Sequence, residues 1–293
     1  MERAKRSKKP SLILTADWHL RKDTPICYTG DFQQEQWDTL DFLKDLQIKC
    51  DCSIVIAGDL FEKWYNVNDF LTTVMQHLPN ELYVIYGQHD LPQHNLDLAY
   101  KSSIDTLIEA GRVKLLPECH FGQIPERGSL YFPNMDPDRN ILVWHHLTYL
   151  TAPFPGATGG NAISILKKYR QFDLIVTGDN HQSFYTEHEG RILVNPGNLT
   201  RQVADQIDYQ PRVALWYAET NTIEWVNIPI AKDVISREHI DHKQKRDERI
   251  DAFISRLDSD FKAELSFEDN LEAFFQLNNI RDSVKEIIYK SLE

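Results

Sequence analysis

"LIVTGDNHQ", residues 174–182, reads as a buried β-strand that ends in a loop carrying an acid and a histidine. Leu174, Ile175 and Val176 form a short apolar run of the kind expected of a strand covered on both faces. Thr177 and Gly178 close it, and Asp179, Asn180 and His181 follow at once. The pattern recurs along the chain. "SLILTA" (11–16) ends in Asp17-Trp18-His19, and "SIVIAG" (53–58) ends in Asp59. "LYVIYG" (82–87) runs into Gln88-His89-Asp90, and "ILVW" (141–144) into His145-His146.

Between these runs lie amphipathic segments. "FQQEQWDTLDFLKDLQ" places Trp37, Leu40, Leu43 and Leu46 on one helical face. "NDFLTTVMQHL" predicts a helix with Asn68 as its N-cap. "SSIDTLIEAG" and "AISILKKYR" predict two more, with "VKLL" and "SLYFP" as further strands. From residue 190 "RILVN" and the hairpin-like "RVALWYAETNTIEWVNIPI" predict mostly β structure. Strands alternating with helices make this an α/β chain. Ligands bind outside the carboxyl ends of the strands in open α/β sheets, so the acids and imidazoles above are expected to converge on one crevice. Gly58, Gly87 and Gly178 permit the tight exits this requires.

Bulk composition narrows the class. The 293 residues suffice for one large domain and a smaller appendage, and 42% hydrophobic content suits a packed core. No apolar run approaches the length of a membrane span, and the basic start "MERAKRSKKP" leads directly into a strand rather than an apolar signal segment. Cys27, Cys50, Cys52 and Cys119 form no CxxC pair, as expected of free thiols in a reducing cytoplasm. A net charge of −12 argues against a generic electrostatic grip on nucleic acid, although bound divalent cations would offset part of a carboxylate-rich site.

Mixed imidazole and carboxylate donors suit Mn²⁺, Fe or Zn²⁺ better than Ca²⁺. The number of candidates favours two ions sharing a bridging carboxylate, the usual clamp for phosphoester hydrolysis. No Ser/His/Asp arrangement or P-loop competes with this reading. After about residue 231 the composition turns charge-dense, with a weak apolar stripe at Ile250, Phe253, Ile254 and Leu257. A capping-box-like Ser266…Asp269 then opens a segment with Leu271, Phe274, Phe275, Ile280, Val284, Ile287 and Ile288 at helical spacing. That stripe fits a helical lid on the α/β domain or a partner surface equally well.

From about residue 11 to 230 the order DWH, GD, GQHD, H, GDNH resembles the signature DxH…GD…GNHD…H…GHxH of the calcineurin-like metallophosphoesterases. Within that superfamily "TADWHL", "AGDLFE" and "NPGNLTR" (195–201) look most like SbcD-type DNA repair nucleases. The resemblance implies a metallophosphoesterase-type β-sandwich flanked by helices over residues 1–230, with a C-terminal helical extension over 231–293 that caps or binds a partner. It implies two divalent metal ions, Mn²⁺ before Mg²⁺. Asp17, His19 and His181 would hold the first, with Asp59 bridging; Asp59, Gln88, His145 and Asp179 would hold the second. His145 is preferred to His146 because the family ligand directly follows the strand. His89 would stabilise or protonate the leaving oxygen, oriented by Asp90.

Gln88 stands where the family has Asn and Asp179 where it has His, so both departures fall on the second ion and both keep an oxygen donor. The implied function is a cytoplasmic Mn²⁺-dependent nuclease acting on DNA beside an SbcC-like coiled-coil ATPase; the family commonly dimerises, and the sequence leaves a homodimer open. Alternatives are a phosphodiesterase or phosphatase on small nucleotides or phosphoproteins, and a catalytically weakened DNA-end-binding scaffold.

Overall fold

The structure is a computed structural model that describes residues 9–116, 139–152, 156, 158–260 and 267–291. Two compact units divide the chain, Met1–Ser236 and Arg237–Glu293.

The first unit alternates strands and helices from its start: β1 (Leu12–Thr15), α1 (Phe32–Cys50), β2 (Ser53–Ile56), α2 (Asn68–His77), β3 (Leu82–Val84), α3 (Ser103–Glu109) and β4 (Lys114–Leu115). It continues through β5 (Ile141–Trp144), β6 (Thr148–Tyr149), β7 (Gly160–Asn161), α4 (Ala162–Lys168), β8 (Leu174–Thr177), β9 (Phe184–His188), β10 (Arg191–Asn195), β11 (Arg212–Tyr217) and β12 (Thr222–Asn227). A six-stranded sheet has the order β12-β11-β1-β2-β3-β4, and a four-stranded sheet the order β5-β8-β10-β9. β1 to β4 run parallel, as do β5, β8 and β10, while β11, β12 and β9 join antiparallel. β6 and β7 form a separate two-stranded ribbon.

Side-chain alternation explains the layering. Leu12, Leu14 and Val55 of the first sheet meet Ile141, Val143, Leu174, Val176, Ile192 and Val194 of the second in one core between the sheets. The intervening residues Ile13, Ile54 and Ile56 point the other way and pack with Leu40, Leu43, Phe70, Val74, Ile104 and Leu107 from α1, α2 and α3. Leu142, Ile175 and Leu193 likewise face Ala162, Ile165 and Leu166 of α4. The result is a β-sandwich with helices on both outer faces. Strands buried on both sides must be apolar throughout, which is why "LILT", "ILVW" and "LIVT" read as continuous runs. Each such side chain contributes about 1.5–3 kcal/mol on burial.

The helix signals are partly as expected. α1 starts where the Asp31 side chain accepts from Gln34 N at 3.0 Å. Asn68 is the first helical residue of α2 rather than its cap; Val67 holds that place and provides no side-chain bond. β9 begins at Phe184, earlier than the β-rich region was expected to start, because its exposed alternation with Tyr185 and Glu187 outward is weaker than a buried run. The strand expected at 129–133, Cys119 and the Ser266 cap lie outside the described residues.

The second unit contains α5 (Glu238–Asp260), α6 (Phe267–Leu277) and α7 (Asp282–Lys290). α6 and α7 pack through Phe275 and Tyr289, whose rings meet edge to face at 5.7 Å, and Tyr289 donates to Glu272 at 2.9 Å. Phe267, Leu277, Val284 and Ile287 are exposed. No helix among the described residues is long and apolar enough to cross a membrane.

Candidate metal centre

The loops that leave β1 and β2 continue the pairing of those strands past their ends. Asp17 N donates to Gly58 O at 3.1 Å, His19 N to Asp59 O at 3.0 Å and Leu20 N to Leu60 O at 3.0 Å. This zipper holds Asp17 (φ 49°), His19 (φ 45°) and Asp59 (φ 52°) in the left-handed region. Asp179 adopts φ 69° after β8. Such residues cost about 1–3 kcal/mol each and persist only where the surroundings over-determine them, as the zipper does here.

Close backbone approach fixes two glycines. A Cβ on Gly87 would lie 2.1 Å from Asp59 Oδ1 and 2.4 Å from Asp59 N. Gly58 has φ +86°, and a Cβ there would lie 2.4 Å from His145 Nδ1.

Imidazole nitrogens and carboxylate oxygens then meet at one place. His19 Nε2 and His181 Nε2 are 3.2 Å apart. Asp59 Oδ1 accepts from His89 N at 2.8 Å, and Asp59 Oδ2 lies 3.2 Å from His145 Nε2 and 3.8 Å from His19 Nε2. Asp17, His19 and His181 form one group with metal-ligand spacing; Asp17, Asp59 and His145 form a second. Asp17 is therefore common to both, and Asp59 Oδ2 sits between histidines of both. His145 rather than His146 occupies this cluster: His146 stacks on Trp144 with ring centroids 3.9 Å apart.

The histidines are aimed by their second nitrogens. His145 Nδ1 is 2.7 Å from Ala57 O, His89 Nδ1 is 2.9 Å from Glu62 O, and His19 Nδ1 is 3.0 Å from Glu62 Oε2. An oxygen bonded at Nδ1, as at His145 and His89, fixes the tautomer and leaves Nε2 of the neutral ring as the donor lone pair.

Electrostatics match a cation site. Burial raises the Asp17 carboxyl above its ordinary value, against the pull of His145, His181 and His19. Burial alone would raise Asp59 as well, yet His145, His19 and His89 hold it down to about 2. Burial alone would lower His145, yet Asp59 and Asp17 push it up to about 10. Burial holds His181 below the usual imidazole range. Asp17 Oδ2 and Asp59 Oδ2 are buried and accept no hydrogen bond from the described residues. Two buried carboxylate oxygens without donors, ringed by imidazole, are costly unless a cation meets them, so the residues fit divalent metal ions.

A model of the calcineurin-like phosphoesterase superfamily domain matches residues 12–220. The chain belongs to that superfamily. No curated protein sequence matches it. Similar solved structures include a novel archaeal phosphodiesterase, 11% identical with a TM-score of 0.43 over 74% of this chain and 99% of that one. TT1561 of Thermus thermophilus is 13% identical with a TM-score of 0.45, over 75% and 99% of the two chains. Vacuolar protein sorting 29 from Cryptosporidium parvum is 15% identical with a TM-score of 0.37, over 75% and 97%.

The geometry adds contacts to two of the expectations for this phosphoesterase. Asp90 was expected to orient the His89 ring. Its fully buried carboxylate instead accepts from Leu60 N at 3.2 Å, Phe61 N at 3.0 Å and Gly87 N at 3.0 Å, tying the loop after β3 to the loop after β2. Burial, with Asp59 nearby, pushes Asp90 up to about 7. The ring-orienting task falls to Glu62 O. Gln88 and Asp179 were expected at the second ion; the structure joins them to each other, with Gln88 Nε2 donating to Asp179 Oδ1 at 2.7 Å. Asp179 also serves through its backbone, donating from N to Asp17 Oδ1 at 3.0 Å. Glu62 had no place in the sequence reading beyond its position in "AGDLFE", because a lone acid past the Gly-Asp turn carries no ligand spacing of its own.

Proposed function

We propose that this metallophosphoesterase is a Mn²⁺-dependent DNA nuclease, an SbcD-like subunit that works beside a coiled-coil ATPase. The observation that carries the hydrolytic reading is the convergence of Asp17 Oδ2, Asp59 Oδ2 and the Nε2 atoms of His19, His145 and His181 beside a His89 ring of fixed tautomer. Asp17, His19, His181 and Asp59 would hold one ion, and Asp59 and His145 the other, with Gln88 and Asp179 beside them. Bound divalent ions lower the pKa of a water, grip the phosphate oxygens and neutralise transition-state charge. His89 Nδ1 faces Glu62 O at 2.9 Å, which directs Nε2 into the site, and in its imidazolium form the ring would give the Nε2 proton to the leaving oxygen.

The DNA assignment rests on the SbcD-like wording of "TADWHL", "AGDLFE" and "NPGNLTR". The last of these stretches supports the centre directly, since Asn195 Nδ2 donates to Asn180 O at 2.9 Å and braces the loop that carries His181. The exposed apolar side chains of α6 and α7 supply a docking face for the ATPase subunit. That partner also supplies DNA grip that a chain of net charge −12 lacks.

Incubation of the protein with end-labelled duplex and single-stranded DNA and Mn²⁺, with and without the ATPase, tests the reading. Metal-dependent shortening of the label that is lost in His89→Ala is the expected result. Rapid turnover of a small phosphodiester with both DNAs intact would replace it with a nucleotide phosphodiesterase.

A further inference from the structure

We propose that Glu62 is the positioning residue of the metal centre, setting the tautomer of two histidines at once. The inference rests on the metal reading of the cluster and is independent of the DNA assignment. Glu62 follows the zipper between the first two loops, where Leu20 pairs with Phe61 and Glu62 N donates to Leu20 O at 3.1 Å. The zipper therefore delivers its side chain beside His19 and its carbonyl beside His89.

Each half has a separate partner. Glu62 Oε2 lies 3.0 Å from His19 Nδ1, while Oε1 lies 3.4 Å from Arg21 Nη1. His19 Nδ1 has no aligned acceptor among the described residues, and Glu62 Oε2 is already within bonding length. Arg21 holds the carboxylate from its far side, and the His19 side chain is only 5% exposed. A carboxylate at Nδ1 keeps the proton there, turns Nε2 toward His181 and Asp59, and makes that nitrogen a stronger donor. Glu62 O accepts from His89 Nδ1 at 2.9 Å and does the same for the second ring without any side chain. His19 and His89 stand edge to face with centroids 4.9 Å apart, so this one residue also fixes their mutual angle.

Glu62 is partly exposed and, with His19 and His89, has ligand-like spacing. The pairing with Arg21 separates the two roles: a carboxylate set between a guanidinium and His19 Nδ1 acts on the metal through His19 rather than by contact.

Mn²⁺ titration calorimetry on chelator-stripped full-length protein, without nucleic acid, decides it. Glu62→Ala is expected to bind Mn²⁺ roughly 10–100-fold more weakly at unchanged stoichiometry, as loss of such a partner does elsewhere. Glu62→Gln, whose amide oxygen still accepts from Nδ1, is expected to lose less. Wild-type affinity in both variants overturns the proposal, and so does the loss of one ion per chain, which would make Glu62 a ligand. Imidazole ¹⁵N spectra of the wild-type protein, assigned against His19→Gln, add a readout that needs no Glu62 variant to fold. His19 protonated at Nδ1 is expected, and His19 protonated at Nε2 overturns the assignment. Because no DNA is present, failure here leaves the nuclease reading standing, and the converse also holds.

Discussion

Gln88 Nε2 donates to Asp179 Oδ1 across 2.7 Å, joining residues 91 positions apart in sequence. These are the two places where the chain leaves the motif pattern it otherwise follows. Their contact makes the departures one coupled change: an amide long enough to reach, and a carboxylate able to accept.

The coupling is measurable. In a double-mutant cycle of Gln88→Ala and Asp179→Ala, the two changes should not add in Mn²⁺ affinity, with an interaction energy of about 0.5–3 kcal/mol. Strict additivity would separate the two residues. Asp179→His is expected to shift metal preference toward softer ions, read from the order of activation by Mn²⁺, Zn²⁺ and Mg²⁺.

His89 lies beside the groups formed around Asp17 without belonging to them, its ring 4.9 Å from that of His19. His89→Gln should lower kcat on a simple aryl phosphodiester by roughly 10²–10⁴-fold, the usual worth of a positioned acid. Metal content by elemental analysis should stay at the wild-type ratio. A variant that keeps its rate would remove His89 from the chemistry.

Gly87 is a spatial requirement of the centre. In Gly87→Ala the new Cβ meets Asp59 backbone and carboxylate within 2.4 Å, and neither can swing aside. A destabilisation of about 1–3 kcal/mol is expected, seen as a lowered Tm, together with weaker Mn²⁺ binding. An unchanged melting curve would mean that the loop relaxes freely.

Alkaline stability reports on Tyr209, which donates to Asn198 O at 3.2 Å and supports the loop around Gly197. Burial pushes its phenol up to about 12, above the ordinary value near 10. A raised folded pKa gives stability that is complete below pH ~10 and lost as pH rises through about 12. Tyr209→Phe should melt below wild type at pH 8 and close that gap as pH rises past 10. Tyr28, Tyr86 and Tyr217, also raised, are common to both proteins and cancel in the comparison. A gap that stays constant with pH would show that Tyr209 ionises as in water.

The core strands were legible because burial on both faces forces a continuous apolar run, and such a run needs no context to be recognised. β5 and β8 match their expected spans closely, and Leu40, Leu43 and Leu46 of the expected α1 face are buried. The cap of α2 was misplaced because Asn68 has the right chemistry one residue inside the helix. β9 was harder to see, since an edge strand with outward-facing Tyr185 and Glu187 resembles a polar loop.

By itself the sequence determined which side chains arrive at the ends of the strands. Asp17, His19, Asp59, His145 and His181 each follow an apolar run, and strand direction alone sends them to one edge of the sandwich. What each does there was decided by tertiary structure, because hydrogen-bond partners are distant in sequence. Asp90 serves three backbone amides, Glu62 lies beside the Nδ1 atoms of two histidines, His146 turns away onto Trp144, and Gln88 finds Asp179. Ligand type follows from local chemistry, whereas tautomer, orientation and charge state follow from contacts that only the packed loops create.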